Sequence, residues 1–245
     1  MRKIAGSKSR LWVRLLAWAA AVYLIAMFFF VAPLRVINPP VTSFMLHQTD
    51  ADERDYEWVP IEAISEYAAL AIIASEDQRF LLHNGVDFGA IQQALAEDGG
   101  AVRGASTLTQ QLVKNLYLWP DRSLLRKGVE AGLAVSFDTL VSKRRILELY
   151  LNVVEFGPGI YGVAAASEQF FNKPPAQLTP PEAALLAAAL PNPAVYRVAS
   201  PPDYMRERQR WVMEQMLRLS REGLPAQLDL LPGSGSDDPA SDLTI

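Results

Sequence analysis

No cysteine occurs in the 245 residues, which excludes a disulfide framework, a thiolate nucleophile, an iron–sulfur cluster and a thiolate zinc site. Histidine is nearly absent too: His47 and His83 are the only two, too few for a multi-histidine metal site. Basic charge is not in excess. Twenty-three lysines and arginines stand against 27 acids, a formal charge of −4, which argues against a strongly basic binder, so no nucleic acid is expected as a partner. With 50% apolar and 20% charged residues, the chain is neither disordered in bulk nor fibrous. Its length allows one large domain or two small ones. Carboxylates, amides, hydroxyls and a few cations must carry any chemistry.

One long uncharged run stands out. Residues 15–34, LLAWAAAVYLIAMFFFVAPL, are 20 residues without a charge. As a helix with about 1.5 Å rise per residue they extend about 30 Å, enough to cross a bilayer core. Trp12 and Trp18 sit near its start, where an interfacial aromatic belt is expected. Residues 1–14 carry Arg2, Lys3, Lys8, Arg10 and Arg14 and no acid, whereas Asp50, Asp52, Glu53, Asp55 and Glu57 follow Arg35. The positive-inside rule then predicts a single-pass membrane protein with a cytoplasmic N-terminus and the remainder outside. A cleaved signal peptide is the rival reading. Its apolar core is usually shorter and followed by small residues, whereas this run ends Val31-Ala32-Pro33, so an uncleaved anchor is preferred. A buried core helix is the third reading.

Beyond the span, residues 35–59 are rich in Pro, Thr and Asp and read as a linker with some local structure. Residues 60–222 show apolar spacings of three and four almost throughout and no convincing alternation, so the expected class is all-α. Thr179-Pro180-Pro181-Glu182 has the capping-box arrangement, and a second helix opens at Asp203. Residues 223–245 turn Gly-, Ser-, Pro- and Asp-rich and read as a disordered tail.

Four stretches could carry chemistry. In the first, the apolar run Ala68–Ala74 leads into Glu76 and Asp77, with Arg79, Phe80, His83 and the helix stop Asn84-Gly85 following. Glu76 then lies at the end of a buried helix, a setting in which a carboxylate readily takes up a proton, as a general base must. A solvated acidic pair bridged to Arg79 is the plain alternative. In the second, Gly99, Gly100 and Gly104 make a mobile loop before Ser106 and Thr107, and Thr107 with Gln110 forms a capping box. Thr107, Gln111 and Lys114 fall on one helix face, and Leu108, Leu112 and Leu116 on the core face beside it. Hydroxyls, amides and an ammonium beside a helix start suit sugars and a phosphate, although a well-capped amphipathic helix has the same pattern.

The third stretch is Arg126-Lys127-Gly128-Val129-Glu130, either a surface ion pair at i, i+4 or two cations and a carboxylate for a diphosphate. Just before it, Leu116, Tyr117, Leu118, Trp119, Leu124 and Leu125 are interleaved with Arg122, as at a membrane interface or in a core helix with a polar rim. The fourth, Lys143–Gly162, holds the core stripe Ile146, Leu149, Tyr150 and Val153, ends at Gly157-Pro158-Gly159, and contains Glu148 and Glu155 as rival carboxylates.

In order, the ED–F–H–G pattern at Glu76–Gly85, G–STLTQQ–KN at Gly104–Asn115, RK–E at Arg126–Glu130, ILELYLN–FG–G–GV at Ile146–Val163 and ALLAAALPNP at Ala183–Pro193 resemble glycosyltransferase family 51, the peptidoglycan polymerases. The resemblance covers roughly residues 55–215 and departs from the usual pattern at Ala105, where glycine is common. The single span, and the absence of Ser-x-x-Lys and Lys-Thr-Gly, are similar to the family's monofunctional members. The resemblance implies a lysozyme-like α-helical domain that polymerises lipid II into β-1,4 glycan strands with inversion, releasing undecaprenyl diphosphate. It implies Glu76 as the base and Glu130 as an aid on the donor diphosphate side, directly or through a divalent cation (Mg or Mn), with no organic cofactor and no protein-caged metal. It implies that Lys114, Arg126 and Lys127 neutralise the diphosphate, that Ser106, Thr107, Gln111 and Asn115 orient sugars or phosphate, and that Asp77 and His83 shape the Glu76 site. Lipid II, the growing chain, the membrane and other cell-wall synthesis and division proteins are the implied partners. A lytic transglycosylase or muramidase of the same superfamily and a catalytically dead cell-wall scaffold are the competing readings.

Overall fold

The computed structural model describes residues 5–48, 53–97, 106–119 and 123–230. The chain divides into two compact units, Met1–Asn38 and Pro39–Ile245.

In the first unit, helix α1 spans Ala5–Ala26 and runs on through a π-helical turn, Met27–Val31, into a 3-10 turn, Ala32–Arg35, that contains Pro33. Among the described residues this is the one helix long and apolar enough to cross a membrane, Arg10–Arg35, with mean hydropathy 2.4. Trp12, Leu16, Trp18 and Leu24 are all at least 65% exposed, so the apolar surface is not consumed by the protein's own core. Helix begins at Ala5, so much of the basic N-terminal segment is helical as well.

The second unit is built around α3 (Glu66–Glu76). Its residues Ala68–Ala74 are buried on every side, as expected for a helix without a polar face. Ser65 caps its start, accepting from the Tyr67 amide at 3.3 Å. Two helices cover α3: α9 (Pro180–Ala189), opened by the Thr179–Glu182 capping box, and α10 (Asp203–Arg221), which buries Met205, Val212, Met216 and Leu219. On the other side, α5 (Leu108–Tyr117) packs against α6 (Leu124–Leu140) and α7 (Lys143–Val153), while the short α2 (Ser43–Gln48) lies against α5. Helix α4 (Phe88–Glu97) and α8 (Gly162–Phe171) complete the domain.

Three features differ from the sequence reading. The Gly-Pro-Gly segment does more than stop α7: β2 (Glu155–Gly157) turns into β3 (Ile160–Tyr161), and β1 (Asp55–Tyr56) pairs parallel to β3, giving the order β1-β3-β2. The segment expected to be a linker is thereby stitched to the domain. Buried Asn152 reinforces this, giving its amide to Val59 O and accepting from Val59 N at 2.9 and 2.8 Å. Finally, the tail does not begin at Gly223. Gly223 takes φ +77, and α11 (Leu224–Gln227) follows with Leu224 and Leu228 buried. Residues 231–245 lie outside the described residues, as do Gly99, Gly100, Gly104, Ala105 and Arg122.

Candidate active site

Glu76 is the last residue of α3, and the chain leaves the helix at Asp77 with φ −160. The Glu76 side chain is 13% exposed and borders a cavity of about 190 Å³ lined also by Arg79, Asp87, Ser106 and Thr107. Both carboxylate oxygens are held. Oε1 accepts from Ser75 Oγ at 2.9 Å, and Oε2 from Gln111 Nε2 at 2.9 Å. The Gln111 amide is itself oriented by Tyr150, whose hydroxyl donates to Gln111 Oε1 at 2.8 Å. Arg208, on α10, brings Nη2 to 3.8 Å from Glu76 Oε1.

Asp77 and His83 are each 5% exposed and face inward. His83 Nε2 lies 3.0 Å from both Asp77 oxygens, and the Leu108 amide donates to Asp77 Oδ2 at 3.0 Å. One carboxylate thus ties the end of α3, the following loop and the first turn of α5, fixing Gln111 relative to Glu76. Gly85 completes the joint. Its φ is +79, and a Cβ there would stand 2.3 Å from Ala134 O, so the loop approaches α6 only with glycine. Thr107 closes the capping box with Gln110 and gives its hydroxyl to Gly85 O at 2.6 Å, so it serves the joint.

The cations gather on α5 and α6. Glu130 is buried at 2% exposure and takes Arg126 Nη1 on one oxygen at 3.3 Å and Lys127 Nζ on the other. Lys127 Nζ also donates to Ser106 Oγ at 2.9 Å, linking α6 to the start of α5. Lys114 lies further along α5, with Nζ 6.0 Å from the Phe44 ring centre. Burial holds its pKa below the ordinary lysine value. The charges of Glu130 and Glu76 oppose that shift, and Arg126 and Lys127 add to it. Lys114 is therefore within electrostatic reach of both Glu76 and the Arg126–Lys127–Glu130 cluster, which joins the two groups into one site. Arg126, Lys127 and Lys114 outnumber the one buried carboxylate, Glu130, so this cluster is net positive. Asn115 is buried on α5.

The rival carboxylates are engaged elsewhere. Glu148 pairs with Arg145 at 2.7 Å and accepts the Ile61 amide at 3.2 Å. Glu155 accepts the Gly159 amide at 3.3 Å within the hairpin, and burial raises its pKa. Before α6 the stretch divides: Leu116, expected on the core face, is buried and so is Leu118, whereas Trp119, Leu124 and Leu125 are 51%, 93% and 81% exposed. Ser75, Phe44 and Arg208, and the hydroxyl role of Tyr150, were not anticipated. Ser75 and Tyr150 stand inside recognised stretches without a distinguishing pattern, and Arg208 lies far along the chain.

No group of three or more His, Asp or Glu side chains among the described residues is placed to hold a metal ion. Glu130, the one acid at the cation cluster, has both oxygens occupied. The described residues do not form a cage for a resident divalent cation.

Residues 43–217 match the transglycosylase family model. The chain is 50% identical over 227 residues to a biosynthetic peptidoglycan transglycosylase of Shewanella amazonensis, covering 89% of this chain and 93% of that protein. It is 50% identical over 198 residues to one from Aeromonas hydrophila, covering 78% and 84%, and 46% identical over 219 residues to one from Pasteurella multocida, covering 85% and 89%.

Proposed function

The chain belongs to the transglycosylase family, and from that premise we propose how the Glu76 cleft acts as a peptidoglycan glycosyltransferase. The acceptor is lipid II, presenting the 4-hydroxyl of its N-acetylglucosamine. The donor is the growing glycan on undecaprenyl diphosphate. Glu76 takes the hydroxyl proton as the acceptor oxygen bonds to the donor's anomeric carbon. The bond from that carbon to the diphosphate oxygen breaks on the opposite side, so the α-linked donor becomes a β-1,4 product. The diphosphate departs with the electron pair, and Lys114, Arg126 and Lys127 meet the charge as it develops.

Several features support these roles. Two neutral donors aim the Glu76 carboxylate without consuming it in a short ion pair. Buried Glu130 keeps two cations at fixed positions, and its role is to hold them. Ser106 and Thr107 line the cavity with Asp77, which His83 holds from behind, and Gln111 fixes the carboxylate; these groups and Asn115 of the same helix are assigned to orienting sugars or phosphate. The observation that carries the reading is Ser106, which lines the Glu76 cavity and accepts from Lys127 of the cation cluster at 2.9 Å.

The substrate's lipid stays in the bilayer, which accounts for a membrane helix on this chain. The exposed Trp119, Leu124 and Leu125 face is read as lying against the membrane surface. The basic residues before the span orient the N-terminus to the cytoplasm, leaving the catalytic unit in the periplasm and the anchor in the inner membrane. Tethering raises the effective concentration of enzyme at its lipid substrate. Full-length protein incubated with labelled lipid II tests the reaction: it should build polymer. Shortening of preformed glycan without polymer would instead indicate a lytic enzyme.

A further inference from the structure

We propose that Arg208 is a positioning residue for Glu76, acting through the hydroxyl of Ser75; this rests on the reading of Glu76 as the base. Arg208 Nη2 donates to Ser75 Oγ at 3.1 Å, and Ser75 Oγ donates to Glu76 Oε1 at 2.9 Å. The same Nη2 lies 3.8 Å from that oxygen, too far for a direct hydrogen bond but near enough for attraction. No other carboxylate stands within ion-pair distance of Arg208 among the described residues.

The relay is directional. A serine hydroxyl has one proton to give. Ser75 Oγ has two acceptors in range, Glu76 Oε1 at 2.9 Å and Ala187 O at 3.4 Å. A guanidinium donating into the hydroxyl oxygen polarises it, and the proton goes to the nearer, charged acceptor, strengthening that bond. Oε1 is thereby pinned on the α10 side while Gln111 pins Oε2 from α5, so rotation of the carboxylate is blocked at both ends. Among the described residues, the charged and titratable groups around Glu76 include Arg208 on α10, Lys114 on α5, Tyr150 on α7, the neighbouring Asp77, and Arg79 and Asp87 in the same cavity.

The fold builds this arm deliberately. Arg208 follows buried Met205 by three residues, at the flank of the stripe that packs α10 on α3. Trp211, one turn on, lies 5.5 Å from the guanidinium carbon and steadies it.

The test uses the full-length protein in detergent with lipid II, measuring kcat, KM and melting temperature for R208Q, R208K, S75A and the S75A/R208Q pair. The expected result for R208Q is a loss in kcat of about 10- to 100-fold, the scale of a misaligned catalytic group, with KM within about twofold. R208K should recover part of the rate. S75A should lose rate, and the double variant should be no slower than R208Q, because both changes break one relay. A rise in KM with unchanged kcat would make Arg208 a substrate contact and overturn the proposal, as would additive losses. Should R208Q not fold, R208K and S75A carry the same test: near-normal kcat in both overturns it. Wild type polymerising lipid II in the same assay separates failure here from failure of the base assignment.

Discussion

Removing the Asp77 carboxylate should damage fold and chemistry together, in a ratio the structure sets. The side chain accepts from the Leu108 amide and lies within bonding distance of His83 Nε2, all in a nearly dry joint. In Asp77→Ala the Leu108 amide and the His83 ring nitrogen lose this partner. Buried polar groups left unpaired cost about 1–3 kcal/mol each, so the sum is roughly 2–6 kcal/mol. For a domain of this size about 1 kcal/mol moves the melting point 2–4 °C, so Asp77→Ala should melt about 4–24 °C lower. Asp77→Asn keeps one acceptor. Its oxygen can still take the Leu108 amide, but its NH2 then faces His83 Nε2, which can accept only with the ring proton on Nδ1, leaving a buried N–H without an acceptor. The Asn variant should fall between wild type and Ala. Both should lose turnover beyond their loss of folded protein, because the joint aligns Gln111 with Glu76. Thermal unfolding by circular dichroism, beside lipid II turnover at 15 °C, reads both effects. If Asp77→Ala melts within about 2 °C of wild type, the reasoning about the joint is wrong.

Lys114→Met should weaken lipid II binding about tenfold or more, by analogy with lost charged contacts, while melting no lower than wild type, because folding holds the Lys114 pKa down. The sign follows directly: the folded state binds fewer protons than the unfolded state, so this group's contribution to stability rises with pH up to the ordinary lysine value. Lower stability in Lys114→Met at neutral pH would refute it. Gly85→Ala should unfold well below wild type, since both its φ of +79 and a 2.3 Å approach to Ala134 O must be relieved; a melting point within about 2 °C would show that the loop moves aside. Leu124→Ser/Leu125→Ser should leave the melting point unchanged, because both side chains are more than 80% exposed. In proteoliposomes the pair should raise KM for long-chain lipid II but not for a short-chain soluble analogue, and equal effects on both would remove this face from the membrane.

Local chemistry was readable before the structure. The Thr107–Gln110 and Thr179–Glu182 capping boxes are i, i+3 signals, and both form. The buried character of α3 follows from seven consecutive apolar residues, which places Glu76 at its end. What escaped the sequence depends on distant pairing. Ser75 and Arg208 are 133 residues apart, and nothing in α10 marks one arginine among its five. Strands of two or three residues are too short to show alternation, so β1–β3 stayed hidden. Interleaved apolar and basic residues do not say which side faces a core, which is why Leu118 proved internal while Leu124 and Leu125 did not. At Gly223 the composition of the whole tail masked Leu224 and Leu228, whose burial extends the fold.

The decisive experiment compares wild type and Glu76→Gln for labelled lipid II binding and for polymer formation in the same preparation. Gln keeps the size of the side chain and one acceptor, so binding and melting point should stay near wild type while polymerisation drops by about 10²–10⁴-fold, the contribution of a positioned base. Polymerisation within about tenfold of wild type, with binding intact, would show that some other group takes the proton.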